Sequence, residues 1–255
     1  MHAPTLSRTA SWHVEHHDVV TSTQALARGR PAWSAVVARE QSAGRGQAGR
    51  SFVSGPGGLY VTGIVPYSGV ALESRGFALA VGWAVRESLR RSGVRRLRLR
   101  WPNDLMVGSL KVGGILVEQG GPDTLLVGVG LNVSNQPWLA DRSLAGIAGR
   151  LVDAAPPGIL PPSDRLADLV LRAIRIAHHA FVRRRLAGFV PILNRCWGRP
   201  REVEIEPAMG VHLVARHGRF HGIDREGCIM IETRTGAWRH IPAHHVGRLR
   251  ETVGA

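Results

Sequence analysis

Short apolar runs separated by turn residues alternate along the chain with two longer stretches of helical periodicity. Residues 35–38 (A-V-V-A) and 59–65 (L-Y-V-T-G-I-V) read as strands on either side of a segment rich in Gly, Ser and Arg. Phe77, Ala80, Val81, Ala84, Val85 and Leu89 recur at helical spacing and predict an amphipathic helix over roughly 73–92. Short strands follow at 97–101, 105–107, 111–118 and 124–131, with a turn at Gly120-Gly121-Pro122-Asp123. The prolines and glycine of 154–163 (A-A-P-P-G-I-L-P-P-S) exclude regular structure there. Ser163 or Asp164 can cap a second helix, with the face Leu166, Leu169, Val170, Ala173, Ile174, Ala177 and Phe181, ending near Gly188.

After Gly198-Arg199-Pro200 the texture changes to short strands at 203–206, 211–215, 228–232 and 238–241, with turns every few residues. That pattern predicts a small β-barrel appended to an α+β domain, with the division at 1–197 and 198–255. No repeat stands out, and no helix-turn-helix precedes residue 20.

Composition narrows the class. The 255 residues, 44% of them hydrophobic, suffice for a sizeable core, which excludes global disorder. No apolar run reaches membrane-spanning length, and the first residues lack the apolar region of a signal peptide. Cys196 and Cys228 form neither a disulfide framework nor a C-x-x-C pair, so a reduced, cytoplasmic setting is expected. The formal charge of +14 invites a nucleic-acid reading, but the arginines are spread over the whole chain without a basic tail. Weak attraction to polyanions fits; specific DNA binding and membrane association are not expected. The twelve histidines are scattered, and adjacent pairs on regular elements point apart, so no histidine metal centre is expected. Of 33 basic side chains 32 are arginine, and the one lysine is Lys111. An ammonium is a compact, rotatable point charge, whereas guanidinium is a rigid fork.

Residues 41–50 (Q-S-A-G-R-G-Q-A-G-R) contain a formal G-x-G-x-x-G match at Gly44, Gly46 and Gly49. As a dinucleotide fingerprint it fails, since a strand rather than a helix follows and no acidic residue lies between Glu40 and Glu73. Walker A and protein-kinase signatures are absent as well. What remains is a flexible backbone that can turn amides inward as an anion nest, with Arg45 and Arg50 to fork onto phosphate or carboxylate oxygens.

A second constellation lies in 100–118 (R-W-P-N-D-L-M-V-G-S-L-K-V-G-G-I-L-V-E). Trp101-Pro102-Asn103-Asp104 forms a tight turn between strands, and Asn103 and Asp104 are hard oxygen ligands suited to Mg²⁺ held with substrate phosphates. Lys111 follows at the start of a strand through Gly113-Gly114, glycines that let a ligand approach the sheet. Asn132, at the end of G-V-G-L-N-V, can read an adenine, hold a phosphate or cap its strand.

These motifs, with T-S-T-Q (21–24) and G-G-L-Y (57–60), resemble the catalytic domain of biotin–protein ligases, that is, biotin–[acetyl-CoA-carboxylase] ligases. The segment 222–232 (G-I-D-R-E-G-C-I-M-I-E) resembles that family's small C-terminal domain. The resemblance implies an α+β, class II synthetase-like biotin/lipoate ligase catalytic domain with an SH3-like β-barrel, of the kind without an N-terminal DNA-binding domain. It implies that ATP, with Mg²⁺ at Asp104, activates biotin as biotinyl-5′-AMP, and that biotin then passes to a lysine of a biotin carboxyl carrier protein. No tightly bound cofactor is implied, and a homodimer stays open. Lys111, Arg45 and Asp104 are the implied catalytic groups. Ser22, Thr23, Gln24 and Gln41 would meet biotin's ureido head or line its pocket, with Arg45, Gly46, Gln47, Lys111, Gly113 and Gly114. ATP would meet Gly44, Arg45, Arg50, Trp101, Asn103, Asp104, Lys111 and Asn132. The alternative within the same fold is a lipoate or octanoate ligase. Three positions depart from the family pattern: Gln47 for the second arginine of the loop, Gln24 for an asparagine, and Phe52 for a tryptophan. The first implies looser retention of the adenylate.

Overall fold

Apolar strands that lack the polar alternation of a half-solvated sheet need cover on both faces. The computed structural model, which describes residues 5–9, 12–67 and 74–252, supplies that cover in the first of two compact units, Met1–Ala180 and Phe181–Ala255. Its eight strands are β1 (Thr5–Thr9), β2 (Trp12–Val20), β3 (Ser34–Gln41), β4 (Leu59–Pro66), β5 (Leu97–Arg100), β6 (Asp104–Val107), β7 (Leu110–Gly121) and β8 (Thr124–Leu131). They form one sheet in the order β1-β2-β3-β4-β8-β7-β6-β5. Only β2 and β3 run parallel; every other pairing is antiparallel.

One face carries the short helix α1 (Thr23–Ala27), whose Ala27 packs with Val36, Ile64 and Leu126. The opposite face carries α2 (Ser74–Arg91) and the first part of the long helix Ser163–Trp197. Close approach is visible at the glycines of this face. A methyl at Gly82 of α2 would stand 2.7 Å from Leu99 Cδ1, and one at Gly63 of β4 would stand 3.5 Å from Ile174 Cδ1. The expected faces of both helices are buried, apart from a half-buried Leu169; residue 73 lies outside the described residues. Along the rest of the first unit run a single turn, α3 (Pro137–Ala140), and short 3₁₀ stretches at Arg142–Leu144 and Leu151–Ala154.

The second unit holds β9 (Arg201–Pro207), β10 (His217–Ile223), β11 (Ile229–Glu232), β12 (Trp238–Ile241) and β13 (Val246–Glu251). These form an antiparallel sheet in the order β12-β11-β10-β9-β13, packed around Val203, Ile205, Phe220, Ile223, Ile229, Ile231, Ile241 and Leu249. Among the described residues no pairing joins β12 to β13, and the five antiparallel strands are those of the small C-terminal β-domain expected.

Three expectations need correction. The strand expected at 211–215 is irregular, with Val214 85% exposed; the strand lies at His217–Ile223, where Phe220 turns inward between polar neighbours. The second helix does not end near Gly188. It is interrupted at Arg185 (φ 51°) and resumes to Trp197, because Phe189, Val190, Leu193 and Trp197 make a new buried face. β1, β2, α1 and β13 were not predicted at all. β2 reads W-H-V-E-H-H-D-V-V, and only its buried Trp12 and Val14 mark the inner face.

Candidate functional site

Register places the site. On the face that bears α1, one transverse row runs Ala38, Tyr60, Gly130, Gly114, Asp104 across five strands, and the next runs Val36, Thr62, Gly128, Leu116. Glycines at 114, 128 and 130 strip side chains from the middle of the sheet and leave a trough. Two of them are overlaid by other parts of the chain. A methyl at Gly128 would stand 2.8 Å from Gln24 Oε1, and one at Gly130 would stand 2.8 Å from the Phe52 ring.

On one side stands a buried polar network. Ser22 caps α1 by accepting a hydrogen bond from the Ala25 amide. Gln41, at the end of β3, accepts from the Thr23 amide (2.8 Å) and the Thr23 hydroxyl (3.0 Å) through Oε1. Its Nε2 donates to Ser54 Oγ (2.9 Å). The Thr62 hydroxyl lies 2.9 Å from Thr23 Oγ1 and 3.0 Å from Gln24 Oε1. Gln24 Nε2 reaches the carbonyls of Leu116 (3.5 Å) and Leu126 (3.4 Å). Thr62 and Ser54 were not anticipated. The one hydroxyl in the apolar run L-Y-V-T-G-I-V was the available signal for Thr62.

On the other side stands a charge cluster. Lys111 Nζ lies 2.6 Å from Asp104 Oδ1, and Arg100 Nη2 lies 2.7 Å from Asp104 Oδ2. Burial acts to raise the Asp104 pKa, but the adjoining charges and hydrogen bonds of Lys111 and Arg100 outweigh it and hold the carboxyl below its ordinary value. A β-bulge aims the lysine. Leu105 pairs with Gly113 while Met106 pairs with Lys111, so Val112 is an extra residue. In an unbroken strand Lys111 would share the far face with Gly113; the bulge turns it to the face of Gly114 and Asp104. A methyl at Gly114 would lie 3.4 Å from Lys111 Nζ. The Lys111 amide donates to Ile147 O and its carbonyl accepts from Gly149 N, each at 2.8 Å, which pins the strand start.

The loop 42–50 is tied at its base and polar at its tip. The amides of Ser42, Ala43, Gly46, Arg50 and Phe52 all donate to main-chain carbonyls. These bonds fix the base of the loop, and Arg45 and Arg50 are exposed to meet a ligand. Gly44 has no room for a side chain, since a methyl there would sit 2.4 Å from Phe52 O. Gln47 opens a 3₁₀ turn, and its carbonyl accepts from Arg50 Nε (3.1 Å).

Several expected ligands sit elsewhere. Trp101 is 3% exposed and packs in the core rather than presenting a face. Asn103 turns its amide back to donate to Ile115 O (2.6 Å), locking the turn onto β7. Asn132 is buried, and its Oδ1 accepts from Asn135 Nδ2 (3.2 Å), which also approaches the Tyr60 hydroxyl at 3.5 Å. Gly113 faces Gly130 O and Leu131 on the far side of the strand. Each Asp104 oxygen carries a cation, Lys111 on Oδ1 and Arg100 on Oδ2, so the expected metal would share this carboxylate with them. Among the described residues no three His, Cys, Asp or Glu side chains gather into a metal site.

Residues 18–133 match the model of the biotin/lipoate A/B protein ligase family. Two similar curated proteins carry the names of biotin ligases. The bifunctional ligase/repressor BirA of Bacillus subtilis is 29% identical over 241 residues, covering 88% of this chain and 70% of that protein. The biotin–[acetyl-CoA-carboxylase] ligase of Paracoccus denitrificans is 29% identical over 239 residues, covering 84% and 89%. The structure of the Aquifex aeolicus biotin protein ligase in complex with biotin and ATP superposes with a TM-score of 0.78 at 25% identity, covering 94% of this chain and 99% of that one.

Proposed function

We propose that this protein is an ATP-dependent biotin–protein ligase acting on the biotin carrier of a biotin-dependent carboxylase. The observation that carries the reading is the lysine ammonium turned by a bulge onto a trough floored by glycines, opposite a buried amide and hydroxyl network. Such a trough suits a flat, uncharged head that exchanges hydrogen bonds, with an anionic tail directed toward the charge. The names of the relatives favour biotin over the lipoate or octanoate alternative.

In the first step a biotin carboxylate oxygen bonds to the α-phosphorus of ATP while the bond to pyrophosphate breaks. Both partners are anionic, so cationic groups set in advance lower the barrier. Lys111 supplies a point charge between carboxylate and α-phosphate, and Arg45 closes on the phosphates from the loop. Thr23, Gln24 and Gln41, fixed by Thr62 and Ser54, hold the head. In the second step a neutral carrier-lysine amine attacks the acyl carbon, the bond to AMP breaks, and the amine loses its proton. The metal ion that accompanies ATP comes with the nucleotide in this scheme.

Biotin-dependent exchange of labelled pyrophosphate into ATP tests the reading, with lipoate as a parallel arm. Exchange with biotin alone is expected. Exchange with lipoate alone, or none from folded protein, would overturn it.

A further inference from the structure

Asp104 is shared between two cations on one face of the sheet: Lys111 beside the trough glycines, and Arg100 on the edge strand β5, beyond Asp104. Gly114 lies opposite Asp104 in the register, and the missing side chain there makes room for Lys111. Arg100 approaches the same carboxylate from β5, as its cross-strand partner. Its side chain is only 18% exposed, and its Nε is buried without a hydrogen bond. Burying a guanidinium with an unpaired nitrogen costs stability, so packing alone is a poor reason for it. The charge sum supplies a better one. Lys111 and Asp104 alone are a neutral pair; with Arg100 the cluster keeps one net positive charge where two anionic substrates must meet.

We propose that Arg100 is a positioning residue that frees Lys111 for the substrate by holding Asp104. This rests on the adenylation reading above. While Arg100 occupies one carboxylate oxygen, Lys111 can leave the other and turn to the biotin carboxylate and α-phosphate without abandoning a buried, unpaired anion. Without Arg100, that departure would strand Asp104, and the lysine would stay paired. The effect belongs to the reacting state, so it falls on kcat rather than on substrate affinity.

The test is steady-state pyrophosphate exchange with wild type, Arg100→Met, Arg100→Lys, Asp104→Asn and the double variant Arg100→Met/Asp104→Asn. Arg100→Met is expected to lower kcat by about tenfold or more with both KM values nearly unchanged. Arg100→Lys restores a cation beside Asp104 and is expected to recover most of the loss. With Asp104→Asn in place there is no anion to strand, so removing Arg100 should cost little more. Arg100→Gln replaces Arg100→Met throughout if the latter does not fold. Wild-type kcat in Arg100→Met, a raised KM for ATP at unchanged kcat, or multiplicative losses in the double variant would each overturn the inference. An active wild type separates those outcomes from failure of the adenylation reading, in which no variant or wild type exchanges.

Discussion

Thr62→Val removes one hydroxyl from the centre of the head-binding network while keeping the shape of the side chain. Thr62 is fully buried, and its oxygen stands 2.9 Å from Thr23 Oγ1 and 3.0 Å from Gln24 Oε1. Thr23 keeps Gln41 as a partner, but Gln24 Oε1 is left buried with no donor. An orphaned buried acceptor costs about 1–3 kcal/mol. For a chain of this size each kcal/mol lowers Tm by about 2–4 °C, so a drop of roughly 2–12 °C is expected. The Gln24 amide contacts on the other side are long, 3.4 and 3.5 Å, and will not hold the carboxamide alone. Biotin affinity, read by titration calorimetry, should therefore fall with stability. Thr62→Val combined with Gln24→Leu removes both partners, which is far less costly than orphaning one. The double variant should melt above the single one, though without recovering biotin binding. If Thr62→Val melts with the wild type, or the double variant melts lowest, the network does not carry the energy assigned to it.

The strands that carry the trough were readable because their apolar runs are dense: 59–65 and 124–131 fall on Leu59–Pro66 and Thr124–Leu131. β2 and β10 were missed, because their few inward residues stand among His, Arg, Glu and Asp. The chemistry followed the same division. Lys111 and Asp104 stand in one motif seven residues apart, so sequence alone brings them close. Their contact nevertheless depends on the Val112 bulge, and pairing register is a property of two strands that neither displays alone. Asn103 and Asp104 illustrate the limit. Their residue types suit a metal, yet the fold gives the Asn103 amide to a β7 carbonyl and the Asp104 oxygens to two cations. A donor's type is written in the sequence; whether it is already engaged is decided by what folds against it.

Lys111→Arg keeps the charge but places a longer fork beside Gly114 and Arg100, and should lower pyrophosphate exchange by about 100-fold with the fold intact; near-normal exchange would refute the point-charge role. Gln47→Arg adds a third cation to a loop that already exposes Arg45 and Arg50, and should slow release of biotinyl-5′-AMP, measured by trapping; equal rates would show that Gln47 does not govern retention. Gly222 has φ 117°, and a methyl there would clash with Asn194 Oδ1, which accepts from the Ile223 amide (3.0 Å). Gly222→Ala should therefore destabilise the second unit by about 1–3 kcal/mol, visible as earlier proteolysis of that unit. The last prediction concerns pH. Burial, reinforced by the charges of His179 and Arg175, lowers the His178 pKa despite its bond to Pro66 O (2.7 Å). That carbonyl can only accept, so Nε2 carries the proton and the buried Nδ1 is bare and unpartnered. Above the ordinary value of 6.5 the imidazole is neutral whether the chain is folded or not, and contributes no pH dependence. Below it the unfolded chain binds a proton that the folded one resists, so stability falls until the lower folded value is passed. Urea midpoints at about pH 7.5 and 5.5 should thus converge in His178→Gln relative to wild type, since carboxylates with lowered values stay ionised in that window. An unchanged difference between the two midpoints would mean that the acid sensitivity originates in another group.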